Sequence, residues 1–127
     1  MTLDLLIVDD HSDYVNRLME LIVNKPSSLL ISTATDYESA VEYLDTKTFH
    51  IVLLDVNMPE KNGIDILRYM REKQMTKRTR IIMVTNHTTD NYRKLCLELG
   101  ADYFLDKSND FEMIPSVIET ISSEIRK

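Results

Sequence analysis

Four short apolar runs in the chain, "LLIV" at 5–8, "IVLL" at 51–54, "IIMV" at 81–84 and "YFL" at 103–105, are continuous rather than alternating. A strand with no polar face has to be covered on both sides, which points to the interior of a helix-flanked sheet. "LLIS" at 29–32 is a weaker fifth candidate. Between the runs lie segments with helical spacing: Tyr14, Leu18, Leu21 and Ile22; Tyr37, Val41 and Leu44; Ile64, Leu67 and Met70; Tyr92, Leu95, Cys96 and Leu99. A last stripe runs through Phe111, Ile114, Val117, Ile118, Ile121 and Ile125. Strand and helix therefore alternate five times. Crossovers of that length are right-handed, so the expected fold is α/β: a doubly wound, five-stranded parallel sheet between two helix layers.

Local punctuation agrees with this reading. Thr35 with Glu38 has the pattern of a capping box before the second stripe, and Gly100 stands where the fourth helix needs a left-handed terminating residue. Pro115 removes a backbone donor near the start of the last helix, which is expected to begin irregularly or at about Ile114. The 127 residues fit one domain, taken as 1–127, with no output domain in this chain.

Charge and composition narrow the function classes. The net charge of −6 argues against a duplex or membrane-surface binder. One local basic cluster (Arg68, Arg71, Lys73, Lys77, Arg78, Arg80) reads as a solvated face, since no aromatic residues interleave its second half. A single cysteine and an N-terminus without a basic segment and long apolar stretch fit a cytoplasmic protein. Cys96 lies in an apolar stripe and is expected in the core, while His11, His50 and His87 are too scattered to suggest a transition-metal site and are assigned surface or loop roles. With only two glycines there is no phosphate-cradling loop or dinucleotide fingerprint.

In a doubly wound sheet, ligands bind at the carboxyl ends of the strands, where the strand order reverses. Asp9 and Asp10 close the first run, Asp55 the third and Thr85 the fourth, and Lys107 follows the fifth. Three carboxylates at that edge repel by roughly 4 kcal/mol per close pair at an effective dielectric of about 20. Such a cluster calls for a cation. All-oxygen donors suit Mg²⁺, with Mn²⁺ as a substitute. Lys107 can then face a phosphoryl oxygen opposite the metal and the Thr85 hydroxyl can donate to another. Asp55, alone on a central strand with backbone N–H groups after it, is the expected nucleophile, giving an acyl phosphate. Each of these residues taken singly has a plain structural reading as a cap or ion-pair partner; their joint placement favours the site.

The pieces "IVDDH", "IVLLDVNMPEKNGIDILR", "IIMVTN" and "GADYFLDKS", in this order and spacing, closely resemble the receiver domain of bacterial two-component response regulators over nearly the whole chain. The resemblance implies a flavodoxin-like (CheY-like) three-layer sandwich in which Asp55 accepts a phosphoryl group from a phosphohistidine. It implies Mg²⁺ bound by Asp10, Asp55 and the backbone carbonyl of Asn57, with Asp9 assisting through water. Thr85 and Lys107 would hold the phosphoryl group. Phe104 matches the switch aromatic, with Tyr103 ranked second, and Gly63 matches a loop glycine at which a left-handed or tightly turned backbone is expected. Implied partners are a sensor histidine kinase or phosphotransfer protein and a downstream target protein. No direct nucleic-acid or membrane contact is implied, and the chain is expected as a monomer or weak dimer. The switching surface would be the fourth helix, fifth strand and fifth helix.

Two departures from the family pattern stand out. Lys107 is followed by Ser108 instead of proline, which leaves open a strained cis bond or a trans loop. Asn86 and His87 replace the usual small residue and its neighbour; with Asn57 they are expected to tune the lifetime of the acyl phosphate. The rival readings are a phosphorylation-independent interaction module or a phosphorelay intermediate or phosphate sink. A third, an aspartyl phosphohydrolase, would want a carboxylate where Asn57 stands.

Overall fold

A computed structural model of the protein describes residues 1–23, 28–86 and 90–127, with residue 90 described by its backbone alone. Five strands and five helices alternate: β1 (Leu3–Val8), α1 (Ser12–Val23), β2 (Leu29–Ala34), α2 (Tyr37–Thr46), β3 (Ile51–Asp55), α3 (Gly63–Glu72), β4 (Arg80–Thr85), α4 (Asp90–Glu98), β5 (Tyr103–Asp106) and α5 (Ile114–Arg126). Every strand pairing is parallel, and the order is β2-β1-β3-β4-β5. The chain moves outward one way from β1 to β2 and the other way from β3 to β5. The topological switch therefore lies between β1 and β3, whose carboxyl ends carry the acidic residues.

The continuous apolar runs are explained by what covers them. Leu5 and Ile7 face a core built with Leu18, Ile22, Ile118 and Ile121 of α1 and α5. Leu6 and Val8 point the other way, into a core with Leu44, Leu67, Met70 and Cys96 of α2, α3 and α4. Successive residues of one strand thus serve two cores, so both faces must be apolar. β2 was the faintest signal because it is an edge strand, half-buried over most of its length.

Several local expectations are corrected. The capping box of α2 sits one residue later than the Thr35–Glu38 pattern: Asp36 accepts from the Ser39 amide at 2.8 Å, and the Ser39 side chain reaches back. Asp is the stronger acceptor for a helix start, and Thr35 is left in the turn between β2 and the cap. Hydrogen bonds from Ser39 hold the Asp36 carboxyl below its usual range. Tyr92, placed in the apolar stripe of α4, is 39% exposed, while Cys96 is buried as expected, with its thiol pushed up to about 11 by burial. Gly100 has φ +112°, and the bonds Gly100 N–H to Leu97 O (3.1 Å) and Ala101 N–H to Cys96 O (3.0 Å) form the left-handed helix end its position predicted. A 3₁₀ turn at Phe111–Met113 leads into α5, which starts at Ile114 with Pro115 in its first turn, where no backbone donor is required. In the basic cluster Arg68, Arg71, Lys73, Lys77 and Arg78 are exposed, and Arg80 pairs with Glu124 at 2.8 Å.

Candidate functional site

Asp55 ends β3 with a fully buried side chain. Its Oδ1 accepts from the Asn57 amide at 3.0 Å, which fixes the rotamer, and Oδ2 lies 3.2 Å from the Lys107 ammonium. Lys107 follows β5 and is only 5% exposed; its Nζ also lies 2.9 Å from Asp9 Oδ2. Its place is set on three sides. The Lys107 amide donates to the Thr85 carbonyl at 2.9 Å, its ammonium rests 4.6 Å from the centre of the Tyr14 ring, and the Tyr14 hydroxyl donates to its carbonyl at 3.3 Å. Burial first, and the Asp9 and Asp55 charges after it, push the Tyr14 phenol well up, so it stays a neutral donor.

Asp9, 1% exposed, and Asp10, with a side chain 27% exposed, follow β1. Burial, and after it the charge of Asp9, hold the Asp55 carboxyl above the usual carboxylate range; the Asn57 amide and Lys107 pull the other way. One ammonium faces three carboxylates, so the edge is short of positive charge. Asp9 Oδ2 and Asp10 Oδ1 are buried and accept no well-directed hydrogen bond from any described residue. Buried carboxylate oxygens that outnumber the ammonium beside them are hard donors that fit a small divalent cation.

Thr85, the last residue of β4, is buried, and its hydroxyl donates to Asn57 Oδ1 at 2.9 Å; the Asn86 amide donates to the same oxygen at 2.8 Å. Asn86 itself is exposed and, with His11, Arg17, Lys107 and Ser108, borders an open cleft of ≈ 280 Å³. His87 lies outside the described residues. No cis peptide bond occurs among the described residues, so Lys107–Ser108 has the trans form.

Phe104 is 4% exposed and packs in the core on the α2, α3 and α4 side, with the Arg93 guanidinium 5.1 Å from its ring centre. Its register partner Met83 lies in the same core, and Thr85, two residues on, projects to that face. Tyr103 packs with the opposite core. Gly63 departs from expectation: it is the first residue of α3 and is not among the positive-φ glycines. A Cβ there would come within 2.4 Å of the Asp55 carbonyl oxygen, so glycine is required by close approach of backbone to backbone. Asn62 caps the helix, accepting from the Ile64 amide at 2.9 Å, and so fixes the loop after Asp55.

His11 is the residue that spacing missed. Its amide donates to Asp9 Oδ1 at 2.8 Å, a turn that brings the imidazole back over the carboxylates. Nδ1 lies 3.1 Å from Asp9 Oδ1, 3.1 Å from Asp10 Oδ1 and 3.8 Å from Asp55 Oδ2. His11 keeps the exposed loop position expected of it, between β1 and α1 with its side chain 56% exposed, while a tight turn brings Nδ1 to the acidic edge despite the distance in sequence from Asp55. The available signal was the position of His11 directly after two acids at a strand end.

The chain matches the family model described as the response regulator receiver domain over residues 5–119. It is 39% identical over 114 residues to the transcriptional regulatory protein CpxR of Escherichia coli (strain K12), a match covering 89% of this chain and 47% of that protein. It is 32% identical over 108 residues to the nitrate/nitrite response regulator protein NarL of the same strain, covering 85% of this chain and 49% of NarL. The chain therefore spans about half the length of these curated relatives. Among solved structures, the Francisella response regulator 1452 receiver domain superposes with a TM-score of 0.86 at 17% identity, over 97% of this chain and 98% of that one. The BeF3-activated DrrB receiver domain does so with a TM-score of 0.82 at 24% identity, over 97% and 99%. These likenesses bear on the fold, which is the flavodoxin-like receiver sandwich. Among the described residues no helix is long and apolar enough to cross a membrane.

Proposed function

The chain belongs to the response regulator receiver domain family, and from that premise we propose that it is a phosphoacceptor switch whose reacting group is Asp55. The observation that carries the proposal is the Lys107 ammonium set between Asp9 (2.9 Å) and Asp55 (3.2 Å) at the switch point of the sheet. No core requires that group to be buried there.

In the forward step a carboxylate oxygen of Asp55 bonds to phosphorus as the P–N bond of a donor phosphohistidine breaks. The leaving imidazole keeps the electron pair and takes up a proton. Hydrolysis reverses the charge: water attacks the acyl phosphate, releasing inorganic phosphate and the Asp55 carboxylate. Lys107 swings from ion pair to phosphoryl clamp, and the Thr85 hydroxyl leaves Asn57 to donate to a phosphoryl oxygen. Asp10, Asp55 and the Asn57 carbonyl would hold Mg²⁺ or Mn²⁺, with Asp9 acting through water, and the bound ion supplies positive charge to the phosphoryl oxygens. The protein thus promotes its own modification without being a metabolic enzyme.

Signal then passes along one face. Thr85 and Phe104 share the side of the sheet that α4 covers, so movement of Thr85 toward the phosphoryl group opens space beside Phe104 and biases the α4–β5–α5 surface. Tyr103, facing the other core, is badly placed for that coupling. Asn57 and Asn86 flank the water path and, together with the neighbouring residue His87 in the sequence, set the lifetime of the acyl phosphate. The donor is a sensor histidine kinase or phosphotransfer protein, and the reader of the surface is a downstream target protein contacted without nucleic acid or membrane. We place the chain in the cytoplasm and treat residues 1–127 as one receiver domain acting as a monomer or weak dimer.

The test is beryllofluoride, which mimics an aspartyl phosphate, followed by backbone NMR. Shifts centred on Thr85, Asn86 and residues of α4 and β5 that need Asp55 support the reading; a spectrum unmoved by beryllofluoride with Mg²⁺ contradicts it.

A further inference from the structure

We propose that His11 supplies an inner-sphere nitrogen ligand to the cation in this pocket, turning its preference from Mg²⁺ toward a first-row transition ion such as Mn²⁺ or Ni²⁺. The proposal rests on the cation-assisted reading above and adds to it a donor of a different class.

Four observations support it. One donor atom from each of Asp9, Asp10, His11 and Asp55 can be chosen so that all lie within 4.8 Å of one another, which is the span of a coordination shell. Nδ1 is the nitrogen turned inward, 3.1 Å from both Asp9 Oδ1 and Asp10 Oδ1. The hydrogen bond that the His11 backbone N–H donates to Asp9 Oδ1 at 2.8 Å sets the backbone that aims it there. The fourth concerns charge: the Lys107 ammonium, 3.0 Å from Nδ1, is shared between Asp9 (2.9 Å) and Asp55 (3.2 Å), so the carboxylates that surround Nδ1 outnumber the ammonium beside them and leave oxygen donors for an ion.

The chemistry of the donor set decides which ion. Carboxylate oxygens alone suit Mg²⁺, which holds its waters and gains little from imidazole, whereas one imidazole among carboxylates suits divalent ions from Mn²⁺ to Zn²⁺. The His11 side chain is 56% exposed, so replacing it removes the ligand without opening the core.

Isothermal titration of the tag-free protein and of His11→Ala with Ni²⁺ and with Mg²⁺ at pH 8 separates the outcomes. The expected result is a loss of Ni²⁺ affinity of about tenfold or more in His11→Ala, with Mg²⁺ affinity changed less than about twofold. Pulsed EPR of the Mn²⁺-loaded protein is expected to show nitrogen coupling from imidazole that His11→Ala lacks. If both ions bind His11→Ala as before, or both bind it more tightly because the imidazole was a competitor, this proposal falls while the phosphoacceptor reading stands. If neither protein binds either ion, both fall.

Discussion

Asn57 Oδ1 accepts two hydrogen bonds from the end of β4, from the Thr85 hydroxyl at 2.9 Å and from the Asn86 amide at 2.8 Å, tying the loop after Asp55 to the strand that carries the switch hydroxyl. Thr85 has to leave this bond to reach a phosphoryl oxygen. Asn57→Ala withdraws the shared acceptor and is expected to lower stability by about 1–2 kcal/mol in urea unfolding. The same change removes a bond that opposes the switch, so beryllofluoride is expected to bind more tightly. Unchanged stability together with weaker binding would show that the Asn57 side chain supports the active arrangement instead.

Lys107 is the counter-charge of the resting site. Lys107→Met leaves Asp9 and Asp55 buried with like charge and no ammonium between them. Loss of about 3 kcal/mol is expected when divalent cations are absent. Saturating Mg²⁺ is expected to restore more stability to the variant than it adds to the parent, since the ion replaces the missing charge. Equal Mg²⁺ effects on the two proteins, measured by urea unfolding, would separate the ammonium from the cation site.

The Asp55 carboxyl is held above its ordinary value of 3.8, by burial first and by Asp9 second. A raised value means that the folded protein binds the proton more tightly than the unfolded chain does. Stability therefore falls as pH rises from the ordinary value through the folded one, and ionised Asp55 is a net cost at neutral pH. Asp55→Asn is expected to be more stable than the parent at pH 7, by on the order of 1 kcal/mol, a usual gain when a functional group that strains the fold is removed. That advantage should shrink as pH falls toward the ordinary carboxylate value. Thermal unfolding of both proteins across that range gives the answer, and an advantage independent of pH would place the cost elsewhere.

Gly63→Ala drives a Cβ to 2.4 Å from the Asp55 carbonyl oxygen and 2.9 Å from its carbonyl carbon, backbone atoms that cannot rotate away. A loss of about 1–3 kcal/mol is expected from this overpacking, together with slower phosphorylation, because the displaced atoms belong to the reacting residue. An intact-mass time course with acetyl phosphate checks the second part. A stable variant with parental kinetics would show that α3 can shift without moving Asp55.

Much of this arrangement was legible from residue patterns, for physical reasons that also explain the failures. Continuous runs such as Leu5–Val8 and Ile51–Leu54 had to be buried strands, since only a sheet covered on both sides gives every residue an apolar neighbour. From the order of those strands, Asp9, Asp55, Thr85 and Lys107 follow as one edge. What periodicity does not carry is the direction of a side chain in a turn: His11 is the exposed loop residue expected, but its approach to the carboxylates is set by the Asp9 side chain and not by any repeat. Gly63 was assigned to backbone freedom when a neighbour three-dimensionally adjacent but eight positions away in sequence excludes a Cβ. Tyr92 fitted the spacing of an inward stripe yet stays exposed, because α4 buries little beyond Cys96, with Leu95 and Leu99 packed against the core.

The central claim is that Asp55 is the phosphoacceptor and that its modification needs a divalent cation. Intact-mass analysis of the protein and of Asp55→Asn after exposure to acetyl phosphate, with Mg²⁺ or with EDTA, tests it most directly. A labile addition of one phosphoryl group to the parent protein is expected with Mg²⁺ alone. An addition that persists in Asp55→Asn, or folded parent protein that takes up no phosphoryl group with Mg²⁺, would contradict it.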